Sequence, residues 1–225
     1  MELTKEQLLQ IHNYIYVCGI KHYDVRTEIV DHFANILEPK LDENPDLHFK
    51  KEIENIHRNF SDRGFSKLLE EKTKSVTKKF YKQSLHHLTT FFKLPKIIIT
   101  VGLFFVLFQI MSLFKDTKTF FDVLITILIF SYLLNISVIF YRKKNKKESF
   151  LVLDKSNHFN VVALNLYQLF HLGNSFRSKE SFLNADYNNI QLAIFVMILL
   201  FFWSGEYVYY QNKKLVKEQY PNIIV

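Results

Sequence analysis

Apolar residues recur at helical spacing through the first third of the chain and then gather into four long stretches free of Asp, Glu, Lys and Arg. The first predicted helix starts at Thr4. Thr4 with Gln7 makes a capping box, Leu8, Ile11 and Ile15 repeat at helical spacing, and Gly19 closes the run. A second helix follows, with Asp24 as its cap and Val25, Ile29, Phe33 and Ile36 as its buried stripe. Pro39 biases the chain out of helix near Glu38. Beyond the loop 42–46, Phe49, Ile53, Ile56 and Phe60 line one face of a third helix, which Gly64 ends. A fourth helix carries Phe65, Leu68 and Leu69 and runs on through Val76 and Phe80. Residues 1–71 therefore read as a small helical bundle near the lower limit for independent stability, expected to lean on a partner, a second copy or the segment that follows it.

The uncharged stretches are 97–114, 123–141, 156–176 and 187–205. A bilayer core takes about 20 mostly apolar helical residues. The first stretch has 14 apolar residues of 18, the second 15 of 19 and the fourth 14 of 19. Spans are accordingly expected at 97–114, 120–141, 156–176 and 187–207, with Lys115–Asp122 as a tight turn between the first two. The third stretch is ambiguous, having only 11 apolar residues of 21. It is expected to cross because its length suits a span and its amides can hydrogen-bond inside a bundle. A surface-lying amphipathic helix is the alternative. Trp203, Tyr207, Tyr209 and Tyr210 read as an interfacial aromatic belt, ahead of a cytoplasmic tail at 211–225.

Charge sharpens this division. The whole chain of 225 residues holds 29 Lys+Arg against 22 Asp+Glu, but residues 1–71 hold 9 against 14, and residues 72–96 hold seven Lys and no acid. The bundle is acidic, which argues against direct nucleic-acid binding, for that requires a basic recognition face. Residues 72–96 read as a basic juxtamembrane helix. Its Lys74, Lys78, Lys79 and Lys82 are expected at the membrane surface, each worth ~1 kcal/mol against anionic lipid of the cytoplasmic leaflet. The cluster Arg142 to Lys147 marks the cytoplasmic side. Met1 to Gln7 lack the basic start and apolar stretch of a secretory signal. The expected location is thus a bacterial inner membrane, multi-pass, with the N-terminus in the cytoplasm. An ordinary soluble enzyme is excluded by the uncharged stretches, and a disulfide-stapled domain by the single cysteine, Cys18.

Candidate chemistry is sparse. Glu28 and His32 stand at i and i+4 on the second helix with Asp24 and Asp31 close by, too few ligands for a metal, and this edge is read as partner-facing. Asn165, Gln168, His171 and Glu206 are the intramembrane polar residues, functional candidates because burying them is costly. No Gly-rich phosphate loop, nucleophile elbow or metal-binding helix motif occurs, so neither catalysis nor a cofactor is expected.

The run Gly19, Ile20, Lys21, His22, Tyr23, Asp24, Val25, Arg26, Thr27, Glu28, Ile29, Val30, Asp31, His32, Phe33, followed by Phe60 and Gly64-Phe65, resembles the small all-helical signalling domains of bacterial membrane proteins encoded beside PadR-like transcription regulators. The likeness covers residues 4–70. It implies a tethered cytoplasmic module that binds or restrains a regulator, with Glu28, Asp31 and His32 in structural or partner-contact roles. The expected fold is therefore all-α: a small cytoplasmic helical bundle, a long basic helix and a four-helix transmembrane region. The expected function is a membrane-anchored regulatory or protein-interaction module, acting on a protein partner or as a homo-oligomer. An accessory subunit of a larger membrane complex, or a small transporter or enzyme, are the alternatives.

Overall fold

The computed structural model describes residues 2–60, 64–144, 148–221 and 223. Among these the chain is helical, with no strand. Its α-helices are α1 (Lys5–Val17), α2 (Tyr23–Glu43), α3 (Phe49–Phe60), α4 (Phe65–Thr90), α5 (Ile97–Leu113), α6 (Thr117–Lys144), α7 (Leu151–Ser175) and α8 (Ala185–Gln219), with a 3₁₀ turn at Glu180–Phe182. The chain divides into two compact units. The first comprises Met1–Lys78, Lys147–Lys155 and Asn222–Val225, the second Lys79–Lys146 and Ser156–Pro221.

In the first unit α1 opens with the expected capping box: Gln7 N–H donates to Thr4 Oγ1 at 3.2 Å and Thr4 N–H to Gln7 Oε1 at 2.8 Å. Gly19 follows the last turn at φ +97°, a left-handed conformation that L side chains rarely adopt. The stripe of α2 is Val25, Ile29, Phe33, Leu37 and Leu41, all buried. It steps by four where the sequence reading moved to Ile36, and Ile36 packs only partly against this core. Pro39 does not end the helix, contrary to expectation, for α2 continues to Glu43. Leu37 and Leu41 are anchored in the core on either side of it, and their burial outweighs the lost backbone hydrogen bond. Ile53 and Ile56 of α3 and Phe65 of α4 complete the core, together with Leu151 from the first turn of α7. The marginal bundle thus recruits residues 148–155 of its own chain.

The second unit centres on Phe120, Phe121, Leu124, Ile125 and Leu128 of α6, which pack with Tyr167 and Phe170 of α7 and Leu192, Phe195 and Ile198 of α8. Phe104, Leu107, Phe108 and Met111 of α5 cover this cluster. The later part of α4 contributes Phe80, against Val208, and the turn just after it Phe91, against Val196 and Leu200. Among the described residues two helices are long and apolar enough to cross a membrane: the stretch Thr117–Arg142 of α6, whose most apolar 18 residues reach a mean hydropathy of 2.5, and α8, whose most apolar 18 residues reach 1.8. Of the four expected spans, two therefore meet this measure. α5 is apolar but has only 17 residues, roughly 25 Å of helix against a hydrocarbon core of about 30 Å. In α7 the amides and imidazoles of the third uncharged stretch dilute its hydropathy.

Candidate functional site

The densest polar constellation of the first unit lies where residues 148–155 meet α1 and α2. Arg26 falls on the inner side of α2, between buried Val25 and Ile29, and is 1% exposed. A guanidinium there needs partners on every side, because an unpaired buried charge costs several kcal/mol. It donates from Nη2 to Glu148 Oε2 at 2.7 Å, from Nε to His12 Nε2 at 3.3 Å and from Nη1 to the Lys21 carbonyl at 3.3 Å. Its plane lies over the rings of Tyr16 (5.0 Å) and Tyr23 (5.5 Å).

Beside this cluster the Asp24 carboxylate accepts the Leu151 N–H, at 3.0 Å to Oδ1 and 3.1 Å to Oδ2. Leu151 is the first residue of α7, so Asp24 caps a helix that starts 127 residues later, placing negative charge at its positive end. The sequence reading gave Asp24 to the start of α2. That helix begins one residue earlier, with His22 at its N-cap position and no side-chain cap. Tyr23 N–H donates to the Ser149 carbonyl at 2.7 Å and Ser149 Oγ to the Lys21 carbonyl at 3.0 Å, so backbone also joins the two segments. His22 Nδ1 stands 3.5 Å from Asp154. Burial, then Arg26, pushes the His12 imidazole below its ordinary pKa. His57 is likewise pushed down by burial, and its Nδ1 meets the Tyr14 hydroxyl at 2.8 Å. Both shifts favour the neutral imidazole.

The other expected partner residues separate. Glu28 pairs with Lys72 of α4 at 2.5 Å. Asp31 and His32 are exposed. His32 meets Phe60 edge-on at 5.4 Å and borders a groove of about 200 Å³ between α2 and α3, floored by Ile36, Ile56 and Phe60 and rimmed by Lys40, Glu52 and Asn59. Lys40 and Glu52 are themselves paired across that rim, and this pairing holds the Glu52 carboxyl below its usual range. The four-residue edge is therefore divided: Asp24 and Glu28 bind the chain itself, while Asp31 and His32 face outward.

Lys74, Lys78, Lys79 and Lys82 are exposed along α4, Lys74 with an i,i+4 pair to Glu70 at 2.6 Å. In the second unit Glu206 pairs with Arg142 at 3.3 Å, and that guanidinium lies 4.3 Å over the Tyr209 ring and donates to the Tyr210 hydroxyl at 3.1 Å. This is a brace between α6 and α8. His87 stacks on Tyr207 at 3.9 Å and lies 3.3 Å from Ser204 Oγ. Asn165, Gln168 and His171 are exposed on α7, where the sequence reading expected them to hydrogen-bond inside a bundle. Its apolar face, Tyr167 and Phe170, took the interior, and on a helix the polar edge then points away. Among the described residues no group of three His, Cys, Asp or Glu is placed to hold a metal. The chain matches no known family, no curated protein and no solved structure.

Sequence reasoning missed Arg26, His12 and Glu148. One signal was available: Arg26 interrupts the apolar stripe of the second helix, and Glu148 is the first acid after the basic cluster.

Proposed function

We propose that this protein is a membrane-anchored regulatory module whose cytoplasmic helical head binds a protein partner, such as a transcription regulator, through the exposed Asp31–His32 edge and the groove beside it. One observation carries the reading: the head is folded around the first turn of α7, through Asp24 on the Leu151 N–H and Arg26 on Glu148. α2 holds that turn on one side and presents Asp31 and His32 on another. A shift of α7 is therefore felt by the helix that meets the partner. The likeness of residues 4–70 to regulator-associated signalling domains points the same way.

Four crossings are part of this proposal. Arg142 to Glu206 ties the end of α6 to the later part of α8, while Arg177 donates to Asn188 near the start of α8 at 2.5 Å and lies over Phe121, near the start of α6. α6 and α8 are thus parallel, and α7, which leads from the end of one to the start of the other, has to return across the same thickness. Its amides make that crossing weaker than the others. The basic cluster at 142–147 and the lysines of α4 favour the inner leaflet for the head side.

The deciding experiment is affinity capture from native membranes with the full-length protein. A regulator retained by the parent chain and lost with Asp31→Lys plus His32→Ala supports the reading; retention by the double variant sinks this surface. An accessory subunit is the second reading, favoured by the exposed Asn165, Gln168 and His171. Purification as a lone monodisperse particle in mild detergent argues against that one.

A further inference from the structure

α6 and α7 diverge over part of their length, and the space between them has two connected parts. The inner part, about 420 Å³, is walled by Leu128, Tyr132, Leu133 and Leu172. The outer part, about 450 Å³, is bordered by Lys118, Asp122, Asn174 and Arg177. Ile125, Ile129 and His171 line both, so the two are continuous: a hydrocarbon slot with a polar mouth.

The mouth carries two unanswered polar atoms. Asn174 is 4% exposed, and its Oδ1 has no hydrogen-bond partner among the described residues. Arg177 anchors Nε and Nη2 on Ser181 and Asn188 and lies 4.0 Å over the Phe182 ring, while Nη1 is buried without a partner. No carboxylate pairs with Arg177 among the described residues, since the nearby Asp122 is taken by Lys118 at 2.6 Å. Among the described residues the mouth therefore has one uncompensated positive charge, one unpartnered NH2 group and one unpartnered carbonyl oxygen. Buried polar groups left unmatched are destabilising, so such a pair marks a place for a ligand that supplies both an acceptor and a donor.

We infer that this groove binds one anionic glycerophospholipid with a hydroxylated headgroup, of the phosphatidylglycerol type. One acyl chain lies along Leu128, Ile129 and Leu133, the phosphodiester accepts from Arg177 Nη1, and a headgroup hydroxyl donates to Asn174 Oδ1. The chemistry favours this occupant over a partner helix. A membrane helix has its backbone groups internally satisfied and would have to place a costly Asp or Glu at membrane depth to answer Arg177, whereas a phospholipid matches hydrocarbon, charge and hydroxyl in that order along its length. The inference goes beyond the proposed regulatory role and requires only that α6 lies in a bilayer.

Native mass spectrometry of the full-length protein, with phosphatidylglycerol and phosphatidylcholine of identical chains as probes, tests it. One phosphatidylglycerol is expected to stay bound at about tenfold higher occupancy than phosphatidylcholine, which has the same phosphodiester but a trimethylammonium that cancels the lipid's net charge beside Arg177 and no hydroxyl for Asn174. Arg177→Gln should cut that preference severalfold, Arg177→Lys should retain more of it, and Ile129→Trp, which fills the slot, should remove binding of both lipids. Circular dichroism matching the parent shows that each variant is folded. Free glycerol phosphate should not compete, which separates a lipid site from a simple anion site. Equal retention of the two lipids, an unchanged preference in folded Arg177→Gln, competition by glycerol phosphate, or photocrosslinking from position 129 to a protein would each overturn it.

Discussion

Asp24 and Arg26 both turn toward residues 148–155 from neighbouring positions on α2, yet they fail differently when changed. Asp24→Ala removes the acceptor from the start of α7 and is expected to cost about 1 kcal/mol, the usual value of a lost N-cap. Asp24→Asn keeps an acceptor and should cost less. Glu148→Gln leaves Arg26 in place, 1% exposed, with a neutral partner. A fully buried pair would lose about 3–5 kcal/mol, and because Glu148 is 33% exposed about 2 kcal/mol is expected. Hydrogen exchange of amides 150–153 in the full-length protein ranks these variants, and equal protection in all three would refute the arrangement. His12 and His57 give a pH dependence. Both are depressed below their ordinary value of 6.5, so the unfolded head binds more protons than the folded one once pH drops below about that point. Their contribution is complete above pH 6.5 and is lost as pH falls through the folded values. Protection factors in α1 and α3, with the base-catalysed intrinsic rate divided out, are therefore expected to fall between pH 7 and 5, and His12→Gln with His57→Gln should flatten that response.

Helices whose apolar positions repeat without interruption were readable at the scale of single elements, as α3 shows. There Phe49, Ile53, Ile56 and Phe60 share the inward face that their spacing implies. α2 departs from its sequence pattern at its cap, where Asp24 serves α7, in the last step of its stripe, which goes to Leu37, and at Pro39, where a local rule met a tertiary anchor four residues wide. The exposed Pro39 lacks the N–H that a helix interior uses, so Pro39→Ala should stabilise the head by about 2 kcal/mol, the helix cost of proline less its advantage in the unfolded chain. A lower midpoint in thermal unfolding would show that the proline shapes the helix rather than burdening it. On α4, Lys78, Lys79 and Lys82 are exposed without interruption from acids. Amide exchange along α4 is expected to slow in nanodiscs containing anionic lipid relative to zwitterionic ones, and Lys→Gln at all three positions should erase the difference.

Topology is a property of the whole molecule and can be tested with its own chemistry. Cys18 is exposed on the head, and Leu183, in the turn before α8, is 86% exposed. Phe150 would be the natural reporter for the segment after α6, but it is fully buried and unsuited to labelling. In intact spheroplasts a membrane-impermeant maleimide is expected to spare Cys18 and to label Leu183→Cys in a Cys18→Ser background. Labelling of both from one side would remove α7 as a crossing helix and restore the surface-lying alternative.

Helix identity, capping at Thr4, the break at Gly19 and the apolar faces were all in the sequence, because a helix repeats every 3.6 residues and its neighbours are close in the chain. Length and hydropathy likewise marked α6 and α8. Which charges would meet was decided only by the tertiary structure. Arg26 and Glu148 lie 122 positions apart, Asp24 and Leu151 127, and no local period links them. The same holds for α7, whose polar edge was plain but whose outward direction depended on Tyr167 and Phe170 finding α6 and α8. Local spacing selects the faces of helices; the choice of which face is covered belongs to the packed whole, where burying one apolar stripe leaves the opposite one in view.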